Sequence, residues 1–245
     1  MPKPAQAATS TTADIKEKAP APRLDNERAI SQLVAAAIEL LAVEGPTAIK
    51  VRAVAEAAGM STIAVYHHLG GLPELIAAVV DQGFRDLGNA LLQVPATEDP
   101  ATTLFGMALA SRRFARANAH LYDLMFGLST RGSYRPLPSP DSAAQGRIDN
   151  FQLAYSHLVD ACGRLVASGR VSAPQDSEAV APQLWSAVHG MVTLELGGHL
   201  SAFDDPVRQV LLPMMTNILT GLGDDRDSAT ASHEAALELI PPDSP

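Results

Sequence analysis

The sequence predicts an all-α protein, and three observations lead to this prediction. Ala and Leu dominate among the apolar residues, whereas aromatic residues make up only 4% of the chain, a composition that favours helices over a β-sandwich or barrel. Apolar residues recur at helical spacing along most of the sequence, and no alternating strand pattern of useful length occurs. Apolar residues make up 47% of the 245 residues, which is enough to build a sizeable core.

The first predicted helix has a clear start and a clear stop. Asp25 or Asn26 is a suitable N-cap, and the pair Gly45-Pro46 is typical of a helix end. The apolar positions between them follow helical spacing at Ile30, Val34, Ala37 and Leu41. Two short helices are predicted near 51–58 and 62–69. A longer one runs to about residue 92 from Pro73 and Glu74, which suit a first turn.

A linker, VPATEDP (94–100), then separates two predicted domains, 23–93 and 94–222. Five further helices are predicted near 99–117, 119–128, 142–168, 176–200 and 205–222. Residues 131–141 contain three prolines and are predicted to be a loop.

The two ends of the chain are predicted to be disordered. Residues 1–22 are rich in Pro, Ala, Thr and Lys and form an arm, and residues 223–245 form an acidic tail with at most a short helix near 235–240. The first residues lack the apolar core of a signal peptide, and no apolar run approaches a membrane span. The only cysteine, Cys162, excludes an intramolecular disulfide. We therefore expect a cytoplasmic protein that does not contact a membrane.

The segment AEAAGMSTIAVYHHLGG (55–71) has the spacing of a helix-turn-helix. Ala55 is small where a second helix crosses the first, Gly59 tolerates the positive φ of the turn, and Val65 faces back into the corner. Ser61 is a good N-cap for the second helix. The side chains that then face outward, toward a DNA major groove, are those of Thr62, Ile63, Tyr66 and His67. Geometry alone leaves an ordinary αα-hairpin with a solvated face equally open.

Composition and side-chain clusters limit the other classes of function. The net charge of −9 counts against nucleic-acid binding unless the positive charge is local. His67 and His68 diverge by about 100° on a helix, so they are poorly placed to share a metal ion. Glu195 and His199 are four residues apart, and such a pair is more often a helix-surface or interface contact than a metal site. No G-x-S-x-G motif occurs, and no other catalytic constellation is found. We therefore expect no catalytic residues, no metal, no cofactor and no enzyme activity.

These residues resemble a known family. The stretch RAISQLVAAAIELLAVEGPTAIKVRAVAEAAGMSTIAVYHHLGGLPELIAAVV (28–80) resembles the DNA-binding domain of TetR-family transcriptional regulators. NAHLYDLMFG (118–127) and LWSAVHGMVTLELGG (184–198) resemble the C-terminal domain of the subgroup with a Trp-His-Gly signature, here Trp185, His189 and Gly190. The resemblance implies an N-terminal three-helix DNA-binding domain followed by a helical ligand-binding and dimerisation domain. It also implies a homodimer that represses transcription and releases DNA when a small molecule binds.

The resemblance also implies the DNA contacts, which would be Lys50, Arg52, Ser61, Thr62, Ile63, Tyr66, His67 and His68. Three positions depart from the family pattern. Lys50 stands where a hydroxyl residue usually caps the helix, Leu72 where a lysine usually binds phosphate, and Ile63 where many members have glycine. The backbone N–H groups at Gly71 and the next helix start can still contact phosphate, but one cation per protomer is missing. Affinity would therefore depend on Lys50, Arg52 and the N-terminal arm.

A ligand pocket is predicted among the C-terminal helices. Its candidate walls are Phe105, Leu109, Leu124, Met125, Leu128, Trp185 and His189, and the same side chains could equally be ordinary core. His189 has two interpretations, a core histidine with its polar atoms satisfied or the polar anchor of a ligand head group. Because few charged residues fall among these walls, an apolar or amphipathic effector such as a lipid is favoured.

Binding to double-stranded DNA favours a two-fold symmetric dimer. A two-fold dimer places two recognition helices one turn of B-DNA apart, so the double-stranded operator should be a near-palindrome. The last two predicted helices have broad apolar faces that could pair as a four-helix bundle across a dimer or could complete the core of a monomer. The alternatives for function are an α-helical lipid- or small-molecule-binding protein, or an enzyme, without DNA binding. A regulator that responds to a partner protein is a third.

Overall fold

The computed structural model describes residues 23–126, 145–172 and 176–240. In these ranges the chain forms helices joined by turns and contains no strand, so the all-α prediction is confirmed. The α-helices are α1 (Arg23–Glu44), α2 (Val51–Ala57), α3 (Thr62–Leu69), α4 (Leu72–Leu92), α5 (Pro100–Ala117), α6 (Ala119–Met125), α7 (Gln145–Ala167), α8 (Ser177–Leu196), α9 (Leu212–Gly221) and α10 (Arg226–Leu239). A 3₁₀ turn (Pro46–Ala48) precedes α2, and a π-helical turn (Val207–Leu211) leads directly into α9.

The N-terminal helices lie close to their predicted positions. α1 begins at Arg23, so Asp25 lies in its first turn and is not its cap. It ends at Glu44, because Gly45 adopts a φ of 79° and Pro46 opens the 3₁₀ turn. α2, α3 and α4 each pack against α1. The inner face of this unit is fully buried at Leu33, Leu41, Val54, Val65, Leu75 and Val79.

α4 connects the N-terminal unit to the rest of the molecule through two close helix contacts. A Cβ at Gly83 would lie 2.6 Å from Sδ of Met125 on α6. A Cβ at Gly88 would lie 3.3 Å from Cβ of Ala154 on α7. Because both glycines lack that atom, α6 and α7 approach the α4 backbone directly. Since α4 also packs against α1, it is held by helices on both sides of the 94–100 linker.

α5 is the central helix of the C-terminal part. Every residue from Pro100 to Arg112 is buried, because α4, α7, α8 and α10 surround the helix. Asp99 caps its start by accepting hydrogen bonds from the backbone N–H groups of Ala101 and Thr102.

The prediction that the chain is disordered after residue 222 is wrong up to residue 240. Asp225 caps α10 by accepting from the Ser228 N–H, and the helix then packs along α5. His233 is fully buried, with its ring centroid 4.3 Å from that of Phe105. The sequence of this segment is mostly polar, and the part that becomes buried includes a histidine and a serine as well as alanines, so helical hydrophobicity did not reveal it. Residues 241–245 and the predicted 1–22 arm lie outside the described residues.

A network centred on Arg170 fixes α10 in place. Its guanidinium donates two hydrogen bonds to the Asp224 carboxylate, at 3.0 and 2.7 Å. The same group donates to Asp99, at 2.5 Å, and to the hydroxyl of Ser232 on α10, at 2.8 Å. Burial opposes ionisation of Asp99, but hydrogen bonds with Ser232, Thr102 and Arg170 outweigh it and lower the Asp99 pKa to about 2.

The predicted helix 176–200 ends earlier than expected, which changes the interpretation of Glu195 and His199. α8 stops at Leu196, and Gly198 has a φ of 77° in the following turn, so the two residues do not share a helix face. Glu195 instead accepts two hydrogen bonds from Arg112 of α5, at 2.8 and 2.5 Å. The predicted helix 205–222 is also divided, since its first half is the π-helical turn.

Within the described ranges, no single helix is both long and apolar enough to cross a membrane. The pair α3 and α4 meets the criterion jointly, with a bend of 68° between them. The inner face of α4 is buried among α1, α5, α6 and α7.

Candidate functional site

The corner between α2 and α3 has the geometry of a helix-turn-helix. Gly59 adopts a φ of 64°, and the N–H of Met60 donates to the Ala55 carbonyl at 2.8 Å, which closes the turn. Ala55 and Val65 are buried at the point where the helices cross, with 2% and 0% of their surfaces exposed. The predicted roles of Ala55, Gly59 and Val65 are therefore confirmed by the geometry of the corner.

Both ends of α3 are capped. Ser61 accepts a hydrogen bond from the Ala64 N–H at 3.3 Å, as predicted for the N-cap. Gly70 ends the helix with a φ of 94°, and its N–H donates to the Tyr66 carbonyl. α3 is thus a short helix with defined ends that lies on the outside of the N-terminal unit.

α3 presents an outward face of polar and apolar side chains, which we call the recognition face: Thr62, Ile63, Tyr66 and His67. Ile63 is 76% exposed and Tyr66 is 59% exposed, although both are large side chains. Thr62 and His67 are also exposed. The recognition face therefore offers apolar, hydroxyl and imidazole groups to the solvent side of α3.

The remaining predicted contact residues lie around this face, with one exception. Lys50 and Arg52 are exposed at the start of α2, and Ser61 is exposed at the start of α3. Lys50 immediately precedes α2, and its side chain makes no hydrogen bond that caps the helix. This agrees with the prediction that Lys50 stands where a hydroxyl residue would usually cap α2. His68 differs because it is half-buried, and its Nδ1 is hydrogen-bonded to Oδ1 of Asn26 on α1 at 2.6 Å. The structure therefore gives His68 a role in holding α3 against α1.

Positive charge near the recognition face is scarce. Residues 23–93 contain five Lys and Arg against eight Asp and Glu. Lys50 and Arg52 are the two of these cations that flank the corner. Leu72, the first residue of α4, is half-buried against the core and adds none. Any anionic partner would therefore have to be held by a few local contacts.

A narrow cavity lies between α4, α5, α7, α8 and α9. Its volume is about 20 Å³, enough for about one water molecule. Most of the lining is aliphatic or thioether surface. The lining residues are Leu91, Leu104, Met107, Ala108, Ser111, Leu158, Leu184, Trp185, Val188, His189 and Met215.

One polar side chain of the cavity wall, His189, is hydrogen-bonded to a residue behind the wall. The hydroxyl of Tyr122 on α6 is hydrogen-bonded to Nδ1 of His189 on α8. Burial lowers the pKa of His189 to about 3, so the imidazole is neutral at physiological pH. Burial, followed by the charge of Asp123, raises the pKa of Tyr122, so the phenol keeps its proton. Trp185 packs on His189, with their ring centroids 3.9 Å apart.

The cavity matches the predicted pocket only in part. Trp185 and His189 line it, as predicted. Phe105, Leu109, Leu124 and Met125 are buried but are not among its lining residues, and Leu128 lies outside the described residues. Phe105 faces α10 instead, because that helix is ordered. Leu184 and Val188 also line the cavity and were not predicted, although their helical positions next to Trp185 could have indicated them.

α6 contacts both α4 and a side chain of the cavity wall. Tyr122 is hydrogen-bonded to His189, and Met125, one helical turn later on α6, packs against Gly83 of α4. α6 also contacts α1, and His120 at its start lies 3.7 Å from where a Cβ of Gly45 would be. A side chain of the cavity wall and the N-terminal helices are therefore connected through one short helix.

Two family models match the chain in order. Residues 33–79 match the model described as bacterial regulatory proteins, tetR family, which covers the helix-turn-helix. Residues 104–218 match the model described as tetracyclin repressor-like, C-terminal domain, which includes every cavity-lining residue except Leu91. No curated protein matches the sequence.

Solved structures share the fold. A protein of unknown function from Rhodococcus sp. RHA1 has 24% identity, over 80% of this chain and 96% of its own, with a TM-score of 0.66. RolR in complex with resorcinol has 17% identity over 87% and 95%, with a TM-score of 0.60. A bacterial regulatory protein in the tetR family from Rhodococcus RHA1 has 22% identity over 81% and 98%, with a TM-score of 0.57. At these identities the likeness is one of fold.

Proposed function

The chain belongs to the TetR family of transcriptional regulators, and we propose that it represses transcription as a homodimer that binds a near-palindromic DNA operator. In this proposal a small apolar or amphipathic effector enters the cavity and releases the protein from DNA. The observation that carries the proposal is the recognition face, which leaves Ile63 and Tyr66 exposed on a capped helix-turn-helix.

Each exposed group has a suitable partner on DNA. The methyl groups of Thr62 and Ile63 can contact a thymine methyl in the major groove. The Tyr66 hydroxyl and the His67 ring can donate to phosphate oxygens. Lys50 and Arg52 can add charge-assisted phosphate contacts. His68 acts indirectly, by fixing α3 through Asn26.

A dimer is needed because one recognition face offers few contacts. Two faces related by a two-fold axis would lie about 34–36 Å apart to reach successive major grooves. We assign the dimer contact to α8 and α9. This assignment is supported by Leu194 on α8 and Phe203 in the following turn, which are 48% and 41% exposed although both are large and apolar.

Release requires that the effector bind the DNA-free state more tightly. A hundredfold loss of operator affinity corresponds to about 2.7 kcal/mol of differential binding. At about 25 cal/mol per Å², this needs roughly 110 Å² of apolar surface that is buried in only one state. Because the cavity is narrow, an effector must widen it, and the contacts of α6 with α4 would convert that widening into a tilt of α4.

The proposal is tested by DNA binding and effector response together. The protein should shift DNA from upstream of its own gene that contains a near-palindrome, and a candidate effector should reverse the shift. Trp185 is the only tryptophan and lines the cavity, so its fluorescence reports occupancy. Trp185→Ala should keep operator binding and lose the effector response. Ligand binding without any DNA binding would instead favour a small-molecule-binding protein.

A further inference from the structure

We propose that the cavity selects an uncharged ligand that offers a hydrogen-bond acceptor oxygen, such as a ketone, ester or lactone, to the Nε2–H group of His189. This inference rests on the proposed role of the cavity as the effector site and specifies its chemistry. It follows from the hydrogen bonds of two buried side chains, the imidazole of His189 and the phenol of Tyr122.

One nitrogen of His189 is available to a ligand. The side chain lines the cavity and is only 7% exposed. Its Nδ1 is taken by the Tyr122 hydroxyl, and its Nε2 has no hydrogen-bond partner among the residues that the structure describes. Unlike Nε2 of His157 and of His233, which are enclosed without a partner, Nε2 of His189 is not fully enclosed. A ligand that displaces water from this atom must therefore supply a hydrogen bond in its place, because an unpaired polar group costs free energy.

The Tyr122 hydroxyl decides which nitrogen carries the proton. Tyr122 is fully buried, and within the described ranges its hydroxyl is hydrogen-bonded only to Nδ1 of His189. If Nδ1–H donated to the phenol oxygen, the phenol proton would be buried without an acceptor. The phenol therefore donates to Nδ1. Because burial keeps the imidazole neutral, its single proton is on Nε2, which faces the ligand as a donor.

The other polar groups near the cavity also favour an uncharged acceptor. The Ser111 hydroxyl donates to the Met107 carbonyl, at 2.9 Å. The next residue, Arg112, is already bound by both carboxylate oxygens of Glu195. Among the residues that the structure describes, no lysine or arginine lines the cavity, so a carboxylate ligand would lose its hydration without gaining a cation. The Trp185 indole can donate a hydrogen bond but cannot accept one.

Three small aromatic compounds of similar size test separately the effect of a hydrogen-bond acceptor and the effect of charge. Acetophenone carries a ketone, ethylbenzene lacks the acceptor, and benzoate carries a charged acceptor. In isothermal titration calorimetry of the full-length protein at pH 7.5, acetophenone should bind about tenfold more tightly than ethylbenzene, as expected for one neutral hydrogen bond. It should also bind more tightly than benzoate. A preference for benzoate, equal binding of acetophenone and ethylbenzene, or no binding of any of the three would overturn the proposal.

Substitutions at His189 assign the preference to its Nε2. His189→Leu should remove the preference of acetophenone over ethylbenzene while ethylbenzene still binds. His189→Gln should restore part of it, because the amide retains an N–H donor. A preference that persists in His189→Leu contradicts the assignment.

The tautomer can be measured without a ligand. A long-range ¹H–¹⁵N spectrum, assigned with His189→Gln, should show the Nε2–H form of His189, and Tyr122→Phe should allow the other tautomer to appear. A dominant Nδ1–H form in the parent protein would overturn the proposal. Operator binding is measured on the same samples. If it is absent while the ketone preference holds, the proposed function fails and the cavity assignment stands.

Discussion

The hydroxyl of Tyr122 is hydrogen-bonded to Nδ1 of His189, and this contact joins α6 to α8 at the wall of the cavity. On the same short helix, Met125 packs against the α4 backbone at Gly83. A displacement of His189 can therefore reach α4 through a single helix of seven residues. Since α4 begins beside the end of α3, it can carry that displacement to the recognition face.

The first prediction concerns the contact between α4 and α6. Gly83→Ala places a Cβ 2.6 Å from Sδ of Met125, so α6 or the Met125 side chain must shift. We expect operator affinity in the absence of effector to fall at least threefold, with a loss of about 1–2 kcal/mol in the free energy of unfolding. Gly163→Ala on α7 is the control, because its Cβ would meet only Ser177, at 3.9 Å. Anisotropy titrations that give equal operator affinities for both variants would exclude α6 as the coupling element.

The second prediction concerns the attachment of α10. Arg170→Ala leaves the buried Asp224 carboxylate without its partner and should lower the free energy of unfolding by about 2–4 kcal/mol. Arg208→Ala removes an exposed ion pair with Glu234 of α10 and should lower the free energy of unfolding by less than about 1 kcal/mol. Urea denaturation measures both. Similar costs for the two variants would mean that the Arg170 network does not hold α10.

The third prediction is a loss of stability in mild acid. Burial lowers the pKa of His189 to about 3 and, together with Arg170, that of His233 to about 4, both below the usual 6.5. The unfolded chain therefore binds more protons than the folded chain between pH 6.5 and 4, and stability falls as the pH falls through that range. At pH 5 each histidine should cost up to about 2 kcal/mol relative to pH 7.5.

Urea denaturation at pH 7.5 and pH 5 measures this loss. Asp99 has a pKa of about 2, so its own contribution changes only below pH 4 and does not obscure the result. His233→Gln should remove about half of the decrease. A free energy of unfolding that is constant from pH 7.5 to pH 5 would contradict the burial of neutral histidines.

The N-terminal unit could be predicted from the sequence because its signals are local. A glycine at the turn, a serine cap and a buried valine fix the corner within a few residues, and the structure has Gly59, Ser61 and Val65 in these roles. The outward direction of Ile63 and Tyr66 follows from helical periodicity once Val65 is known to face inward.

The cavity and α10 could not be predicted in the same way because they depend on contacts between distant residues. Phe105 was expected in the pocket, but α10, more than 120 residues later in the chain, covers it. The partner of Glu195 is Arg112, 83 residues earlier. The helical pattern around Trp185 identified the correct helix face of α8, but it could not show which residues of α4, α5, α7 and α9 meet that face.

The fourth prediction concerns phosphate contacts at the start of α4. Leu72→Lys adds a cation beside the helix N-terminus and should steepen the dependence of log affinity on log salt by about 0.9 per protomer. Leu92→Lys adds the same charge at the other end of α4, where Leu92 is 58% exposed, and should leave the slope unchanged. Deleting residues 1–22, which include Lys3, Lys16 and Lys18, should make the slope shallower. Equal slopes for the parent protein, Leu72→Lys and the deletion would contradict this distribution of contacts.

The central claim, that the recognition face binds an operator, is tested most directly by an anisotropy titration of the near-palindromic DNA upstream of the protein's own gene. The parent protein should bind it with two protomers per site, and Tyr66→Phe and His67→Ala should each weaken binding about five- to thirtyfold without lowering the melting temperature. Val43→Ala, at a position 83% exposed near the end of α1, should bind as the parent does. Parent-like affinity in both Tyr66→Phe and His67→Ala would contradict the claim.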